Sequence, residues 1–511
     1  MRSWTRWGAA VCALAVLVVL WACNEHKLAT PPGTPSGTVQ TFIDQTLTND
    51  VDVLFMVDDS SSMTPIQSNL VANFPRFINV LKSLPAGLPN VHIAVTTSSL
   101  GAGAFSSSVE GCANSNGGRF VYQPRVSTDP RCVTTDRITG SQHFIESLNN
   151  GALNNFSGDI AVVFGCIAQV GDTGCGFEHQ LAAVRAALGE PGGQPPPPAG
   201  NEGFLREHAY LAVIWITNED DCSAPPSSQL FDPNNNALGP LASYRCTEYG
   251  ILCGGQSPPR NPAGPFLGCT SNEAAARDDP LHSLLPVQSF IDYLGQIKPP
   301  GRVIGAAVAG PTEPFSVALD ELNRPCLADS CGPRGTNVCS SPSQPGTYGD
   351  PAVRLKQVID SLGNQGKFIT ICQDSYADAM QDIARLIGNK LGPPCLEGRL
   401  AQAPDFTHEI AHPAAGMVVD PSQLLCTVED VQYPGTPRQK QLGVLPPCQP
   451  GGQPLGSCWA VFGDPTCAQS GVRIAVCRNG FDPSHPDQIC PQGPVSPPDG
   501  DVAVVRCVSI P

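Results

Sequence analysis

The sequence predicts an α/β protein in two parts: a doubly wound, mainly parallel sheet, then a small disulfide-rich β domain at the C-terminus. Three observations carry this. Between residues 50 and 392, short β-branched and aromatic runs alternate with helical periodicities, the pattern of a parallel sheet with helices on both faces. The runs 51–57, 209–217 and 302–309 are almost wholly apolar, as strands buried on both faces are. Beyond residue 392 the helical periods fade and eight cysteines fall between Cys395 and Cys507, the composition of a small stapled domain.

The elements follow in chain order. Arg2 and Arg6 precede an apolar stretch, Gly8 to Ala22, that is short for a permanent membrane span and reads as an export leader. It ends Leu20-Trp21-Ala22-Cys23, which resembles the lipobox of bacterial lipoproteins. The resemblance makes residues 1–22 a lipoprotein signal peptide and Cys23 the lipidated first residue of the mature chain. By analogy with lipoprotein sorting, Asn24 in place of Asp favours the outer membrane of the cell envelope. Residues 23–49, poor in apolar side chains, are expected to be a flexible tether.

Strand 51–57 leads to an amphipathic helix with Thr64 as N-cap, Pro65 as first residue and a kink at Pro75. A strand at 91–96 follows, then a short one at 119–122. Helices are expected near 141–149, 158–169 and 177–188, then strand 209–217. A helix at 282–297 leads to strand 302–309, and one at 351–362 to strand 367–372. Ser375 caps a last helix to about Leu391. The long insertions 98–118, 222–281 and 311–350 each begin just after a parallel strand. Chain direction therefore places all three at the carboxyl ends of the strands, as a cysteine-rich collar on one face. The run Pro195–Pro198 precedes a strand and belongs to the opposite face.

Composition narrows the chemistry. With Cys12 removed and Cys23 lipidated, twenty of the 22 cysteines remain, twelve in 112–372 and eight in 395–507. Two even subsets in an exported chain imply two separately stapled domains. No Cys-x-x-Cys pair occurs, which argues against a zinc ribbon. A net charge of −16 argues against nucleic acid and against a polybasic membrane patch.

The motif that carries function is Asp58-x-Ser60-x-Ser62, at the end of the first strand and directly before the first helix. One carboxylate and two hydroxyls at the carboxyl end of a strand are hard oxygen donors with room left for water, which suits Mg²⁺. The segment resembles the first metal-binding loop of von Willebrand factor type A (VWA) domains. The resemblance implies a Rossmann-like VWA fold over residues 50–392, with residues 393–511 as the small Cys-rich domain. It also implies a metal-ion-dependent adhesion site (MIDAS) holding Mg²⁺, or Ca²⁺ or Mn²⁺, that takes a carboxylate from a partner protein. Family logic adds a threonine from a second loop, for which Thr173 stands about a turn early. An aspartate from a third loop is also expected, where this chain has Asn218 with Asp220 and Asp221 nearby.

Catalytic signals are thin. His408-Glu409-x-x-His412 matches the zinc-metalloprotease string. Pro404 and Pro413 confine any helix there to about two turns, and no third histidine follows at the extended spacing. His179 reads as a capping or surface histidine, and His92 as a packed or solvent-facing one. No nucleophile elbow or phosphate-binding loop is present. The expectation is a lipid-anchored, non-enzymatic envelope protein that binds a partner through a cation. The alternatives are a metalloprotease or a structural protein with a decayed site.

Overall fold

The computed structural model describes residues 41–510 apart from 48, 85–86, 126–129, 134–137, 275–277, 280, 300, 332–346, 392–394, 397, 405–407, 433–439, 450–456, 466, 468–469, 479, 483–489 and 491–500. The leader and Cys23 therefore lie outside the described residues.

The first strand, β1 (Thr41–Leu47), belongs to the C-terminal sheet. Seven others build the central one: β2 (Asp50–Val57), β3 (Asn90–Thr97), β4 (Ile145–Leu148), β5 (Leu153–Asn154), β6 (Tyr210–Ile216), β7 (Val303–Ala309) and β8 (Gly366–Thr370), while short strands within the insertions pair apart from it. Their spatial order is β8-β7-β6-β2-β3-β4-β5. The pairs β2–β3, β2–β6, β6–β7 and β7–β8 are parallel, and β4 and β5 run antiparallel at one edge. The fold class is the expected one, mixed α/β with a mainly parallel central sheet. The chain leaves β2 towards one edge and returns at β6 to build the other. The carboxyl ends of β2 and β6 therefore diverge into a switch-point crevice.

Two apolar layers clamp this sheet. On one face, helices α1 (Thr64–Lys82), α2 (Ile160–Ala168) and the C-terminal α6 (Ala377–Leu391) pack on Val53, Phe55 and Val57. Phe74 lies stacked on Phe164 with ring centroids 3.5 Å apart. On the other face, α3 (Gln180–Leu188), α4 (Val287–Ile297) and α5 (Val353–Ser361) cover Leu54, Met56 and Trp215. Successive residues of β2 from Val53 to Val57 thus alternate between two cores, which is why this stretch carries no polar face.

Several local expectations are corrected. Residues 141–149 are not helical. Ile145 and Ser147 point inward on β4, and Asn149 and Asn150, at φ of 54° and 56°, turn the chain into β5. An Asn-Asn-Gly turn between strands is hairpin chemistry, and it overrides the apparent helical period. Residues 119–122 form no strand, although Val121 N–H reaches Val95 O at 2.8 Å. Helix α1 runs unbroken through Pro75, and its N-cap is Met63 rather than Thr64. Helix α4 starts five residues later than expected, at Val287, because Pro286 occupies its N-cap.

Part of the expected tether is ordered as well. Strand β1 pairs antiparallel with the last strand, from Thr41 opposite Ser509 to Leu47 opposite Ala503. The C-terminal sheet is completed by short strand β9 (Arg399–Leu400), β10 (Cys426–Gln432), β11 (Lys440–Leu445) and β14 (Asp501–Ile510). A separate hairpin is formed by β12 (Cys458–Gly463) and β13 (Val472–Cys477). Disulfides 395–467, 426–507, 448–458 and 477–490 hold this region. Bridges 112–175, 132–166, 222–246, 253–269 and 326–331 lie within the larger one. No apolar cluster of described residues mixes side chains from before and after residue 392.

The insertions do gather at the switch-point face. Ala102, Cys112, Cys175, Phe177, Cys222 and Phe231 share one apolar cluster, so the first insertion, the loop before α3 and the third-loop insertion are mutually packed. At the opposite end of the sheet a buried ionic group closes the core: Arg206 Nε donates to Asp52 Oδ1 at 2.8 Å, and Lys298 Nζ sits 3.5 Å from Asp52 Oδ2. His92, also buried there, bonds Phe204 O and Glu146. Among the described residues no helix is long and apolar enough to cross a membrane.

Candidate metal centre

The first loop is held by its own backbone and by its neighbour strand. Asp58 N–H donates to Ile216 O at 3.0 Å, Ser60 N–H to Asp58 Oδ1 at 2.8 Å, and Met63 N–H to Ser60 O at 3.1 Å. An aspartate turn of this kind is what a short carboxylate at the end of a strand forms readily. Gln67, one turn into α1 and almost fully buried, then clamps the second loop. Its Nε2 donates to Asp58 O at 2.9 Å and Gly171 O at 2.7 Å, and its Oε1 accepts from Gly171 N at 3.2 Å.

Four of the six expected metal residues come together. Ser60 Oγ lies 3.4 Å from Ser62 Oγ. Asn218 Nδ2 donates to Ser62 Oγ at 2.9 Å, with Oδ1 of the same carboxamide 3.2 Å from that hydroxyl. Asp58 lies behind them, fully buried, its Oδ2 accepting from Thr217 Oγ1 at 2.7 Å and its Oδ1 from Ser98 Oγ at 3.2 Å.

Thr173 and Asp220 are placed elsewhere. Thr173 is exposed, and its neighbours are committed: Gly174 N–H donates to Asp59 O at 2.8 Å, and Cys175 is bridged to Cys112. These ties turn the threonine outward. The carboxylate of Asp220 accepts from the backbone N–H of Asp221 at 2.8 Å and of Arg354 at 3.1 Å. It is therefore spent on the first turn of α5, whose free N–H groups and dipole attract it. Burial raises its pKa to about 7.

The sequence reading missed three side chains that ring the cluster. Glu178, just ahead of α3, is 1% exposed, and its Oε1 has no hydrogen-bond partner. Glu219, next to Asn218, bonds Glu178 side chain to side chain and accepts from Tyr348 Oη at 3.0 Å. Tyr348, from the third insertion, also reaches Ser62. A carboxylate directly before a helix, and another directly after Asn218, were the only local signals. For Tyr348 there was none. His179 stands at the N-cap of α3 without a side-chain cap bond, and it is buried rather than on the surface, its Nε2 bonding Gly101 O at 2.9 Å.

The electrostatics are those of uncompensated negative charge. Burial, reinforced by Glu219, pushes Asp58 up to about 7. Burial, followed by the facing carboxylates of Glu219 and Asp58, holds Glu178 well above its ordinary range. The nearest basic groups serve other carboxylates, Arg125 at 3.8 Å from Asp59 and Arg354 at 3.1 Å from Asp221. Hydroxyl oxygens of Ser60 and Ser62 and the Asn218 carboxamide oxygen, with buried Asp58 behind them, form a set of hard donors that fits a small divalent cation. Among the described residues, no three or more Asp, Glu, His or Cys side chains are grouped to hold an ion. A cation here would therefore rest on hydroxyl and amide oxygens as much as on carboxylates.

The protease string does not form its site. Ile410 N–H bonds Leu400 O, Gln402 N–H bonds His408 O, and Ala401 bridges Glu409 in extended pairing. The helical turn that would align His408 with His412 is absent, and Glu409 is engaged by Arg399 at 2.8 Å.

Fold and site together define a doubly wound α/β domain with a hydroxyl–carboxylate cluster at its switch point. No protein-family model matches the chain, and no curated protein matches it. Among solved structures it is similar to a von Willebrand factor type A protein from Catenulispora acidiphila, at 10% identity, covering 93% of this chain and 68% of that one, with a TM-score of 0.27. It is also similar to the pilus adhesin SpaC from Lactobacillus rhamnosus GG in its open conformation. That match has 11% identity and a TM-score of 0.28, and covers 92% of this chain and 41% of the adhesin. Superposition this loose adds nothing to the site, whose reading rests on its own geometry.

Proposed function

We propose that this is a lipid-anchored protein of the cell envelope, outer membrane by its Asn24, that captures a partner protein through a divalent cation. The observation that carries the reading is the convergence of Ser60, Ser62 and Asn218 in front of buried Asp58, in a switch-point crevice where, among the described residues, no ion pair links a basic side chain to Asp58. Ser60 and Ser62 would hold Mg²⁺, or Mn²⁺ or Ca²⁺, directly. Asn218 would offer a neutral oxygen where a full site has a carboxylate, and Asp58 and Glu219 would supply charge from behind. When bound, such an ion supplies a Lewis-acidic position for a carboxylate oxygen of the partner. The chain's own residues orient the hydroxyls: the Ser60 N–H bond fixes Asp58, and Gln67 ties the first loop to the second. Lipidation at Cys23 rests on the leader sequence, and an adhesion or assembly role on the chemistry of carboxylate capture.

Calorimetric titration of the mature chain with Mg²⁺ and Mn²⁺, beside a Ser60→Ala/Ser62→Ala variant, tests the site. One bound ion per wild-type chain, lost in the variant, is expected; equal heats in both would remove the cation from the account. Capture of an envelope protein that EDTA reverses is the companion observation expected for the partner role.

A further inference from the structure

The third insertion returns to the sheet as a four-residue strap, 347–350, laid across the third loop. Thr347 and Asp350 are 7% and 5% exposed. Asp350 N–H donates to Asn218 O at 2.8 Å. Gly310, at the end of β7, lets the strap's backbone pass so close that a side chain there would strike Asp350 O. The strap is thus anchored just after Tyr348, at Asp350, by the third loop and by the mouth of β7, and Thr347 just before it is buried. From this mount Tyr348 Oη donates to Glu219 Oε1 at 3.0 Å and lies close to Ser62, while the adjacent Ser61 is solvent-exposed. Ser62 is therefore approached from its other sides by Ser60 and Asn218, and from the insertion side by a phenol of the same chain.

We propose that Tyr348 is a built-in occupant of the open side of the Ser60–Ser62–Asn218 cluster, so that a partner's carboxylate must displace the phenol to reach the cation. The inference rests on the cation reading above and adds to it a state of the protein in which binding is screened. Two features favour a displaceable group over a fixed wall. The phenol is neutral, and its bond to Glu219 is one that water can replace once it leaves. It is also half-buried, while its flanking residues Thr347 and Gly349 are buried, so the side chain rather than the strap is the part placed to move. A purely structural tyrosine would satisfy Glu219 and leave the ion's surroundings unchanged when removed, which separates the two roles.

The test uses the mature full-length chain and Mn²⁺ as probe. Electron paramagnetic resonance counts bound Mn²⁺, and the water-proton relaxation rate per bound ion reports exchangeable waters on it. Wild type and Tyr348→Ala are expected to bind the same number of ions. The variant should show about twofold higher relaxivity, as one more coordination position opens to water. Added acetate should lower the relaxivity of the variant and leave that of the wild type unchanged. Equal relaxivity in two proteins that both bind Mn²⁺ would overturn the role of Tyr348. Binding of Mn²⁺ by neither protein would instead overturn the cation reading on which it rests. If Tyr348→Ala loses its cooperative melting transition, Tyr348→Leu carries the same comparison, with a side chain that fills the space but cannot bond Glu219.

Discussion

Replacing Asp58 with asparagine should stabilise the cation-free protein while abolishing its response to Mg²⁺. The Asp58 carboxyl is fully buried and its pKa is raised from 3.8 to about 7. A carboxyl raised on folding binds a proton that the unfolded chain has already released. Its contribution to stability is therefore intact below about pH 4 and is lost as pH climbs towards 7. Some three pH units at 1.36 kcal/mol each set an upper bound of about 4 kcal/mol for the destabilisation from ionised Asp58 above pH 7. Asparagine removes this, keeps an oxygen for Ser60 N–H, and leaves Ser98 and Thr217 with Asp59 Oδ1 and Glu219 O as other acceptors. Part of the gain is forfeited in weaker, uncharged hydrogen bonds, so about 2 kcal/mol is expected, or roughly 3–6 °C in the melting of the larger domain. The assay is differential scanning calorimetry of the mature chain at pH 8 in EDTA, repeated at pH 5, where the advantage should fall by about half or more. With Mg²⁺ at about 100 times its Kd, wild type alone should gain about 2.7 kcal/mol, reversing the order. A less stable asparagine variant at pH 8 in EDTA would refute the reasoning, as would an equal Mg²⁺ shift in both proteins.

Two further outcomes separate scaffold from site. Lys298→Met, at the amino end of the sheet, removes the donor to Ala209 O at 2.8 Å and to Arg206 O, and the cation beside Asp52; a loss of about 3 kcal/mol in urea unfolding is expected, with Mg²⁺ affinity unchanged. Gly174→Ala would bring a Cβ within 2.5 Å of Asp59 Oδ1 and push the second loop away from the first. A roughly tenfold weaker Mg²⁺ affinity by calorimetry, about 1.4 kcal/mol, is expected with little change in melting; unchanged affinity would show that the second loop does not support the site.

The candidate site was legible where it is local. Asp58, Ser60 and Ser62 sit on one strand-to-helix turn, and a turn's chemistry is written in consecutive residues. Asn218 could be placed because it directly follows a strand whose apolar run marks its end. Thr173 and Asp220 illustrate where such reasoning stops. A disulfide to Cys112 and the Asp59 contact turn Thr173 out, and the N-terminus of a helix more than 130 residues away claims Asp220. The helix expected at 141–149 failed for a similar reason: its amphipathic pattern also fits a short strand, and only pairing with β3 and β5 decides between them.

The sequence by itself determined the alternation of strands and helices, the division of cysteines into two even groups, and the oxygen-donor turn at Asp58. These depend on periodicity, pairing arithmetic and residue chemistry over short spans. Tertiary structure alone decided the strand order that brings β2 beside β6, and with it the meeting of Asp58 with Thr217 and of Ser62 with Asn218. It also decided the burial of Glu178, the return of residues 347–350 over the third loop, and the pairing of 41–47 with the last strand. The physical reason is that contacts between distant segments are set by which buried groups can be satisfied together, and no local pattern encodes that choice.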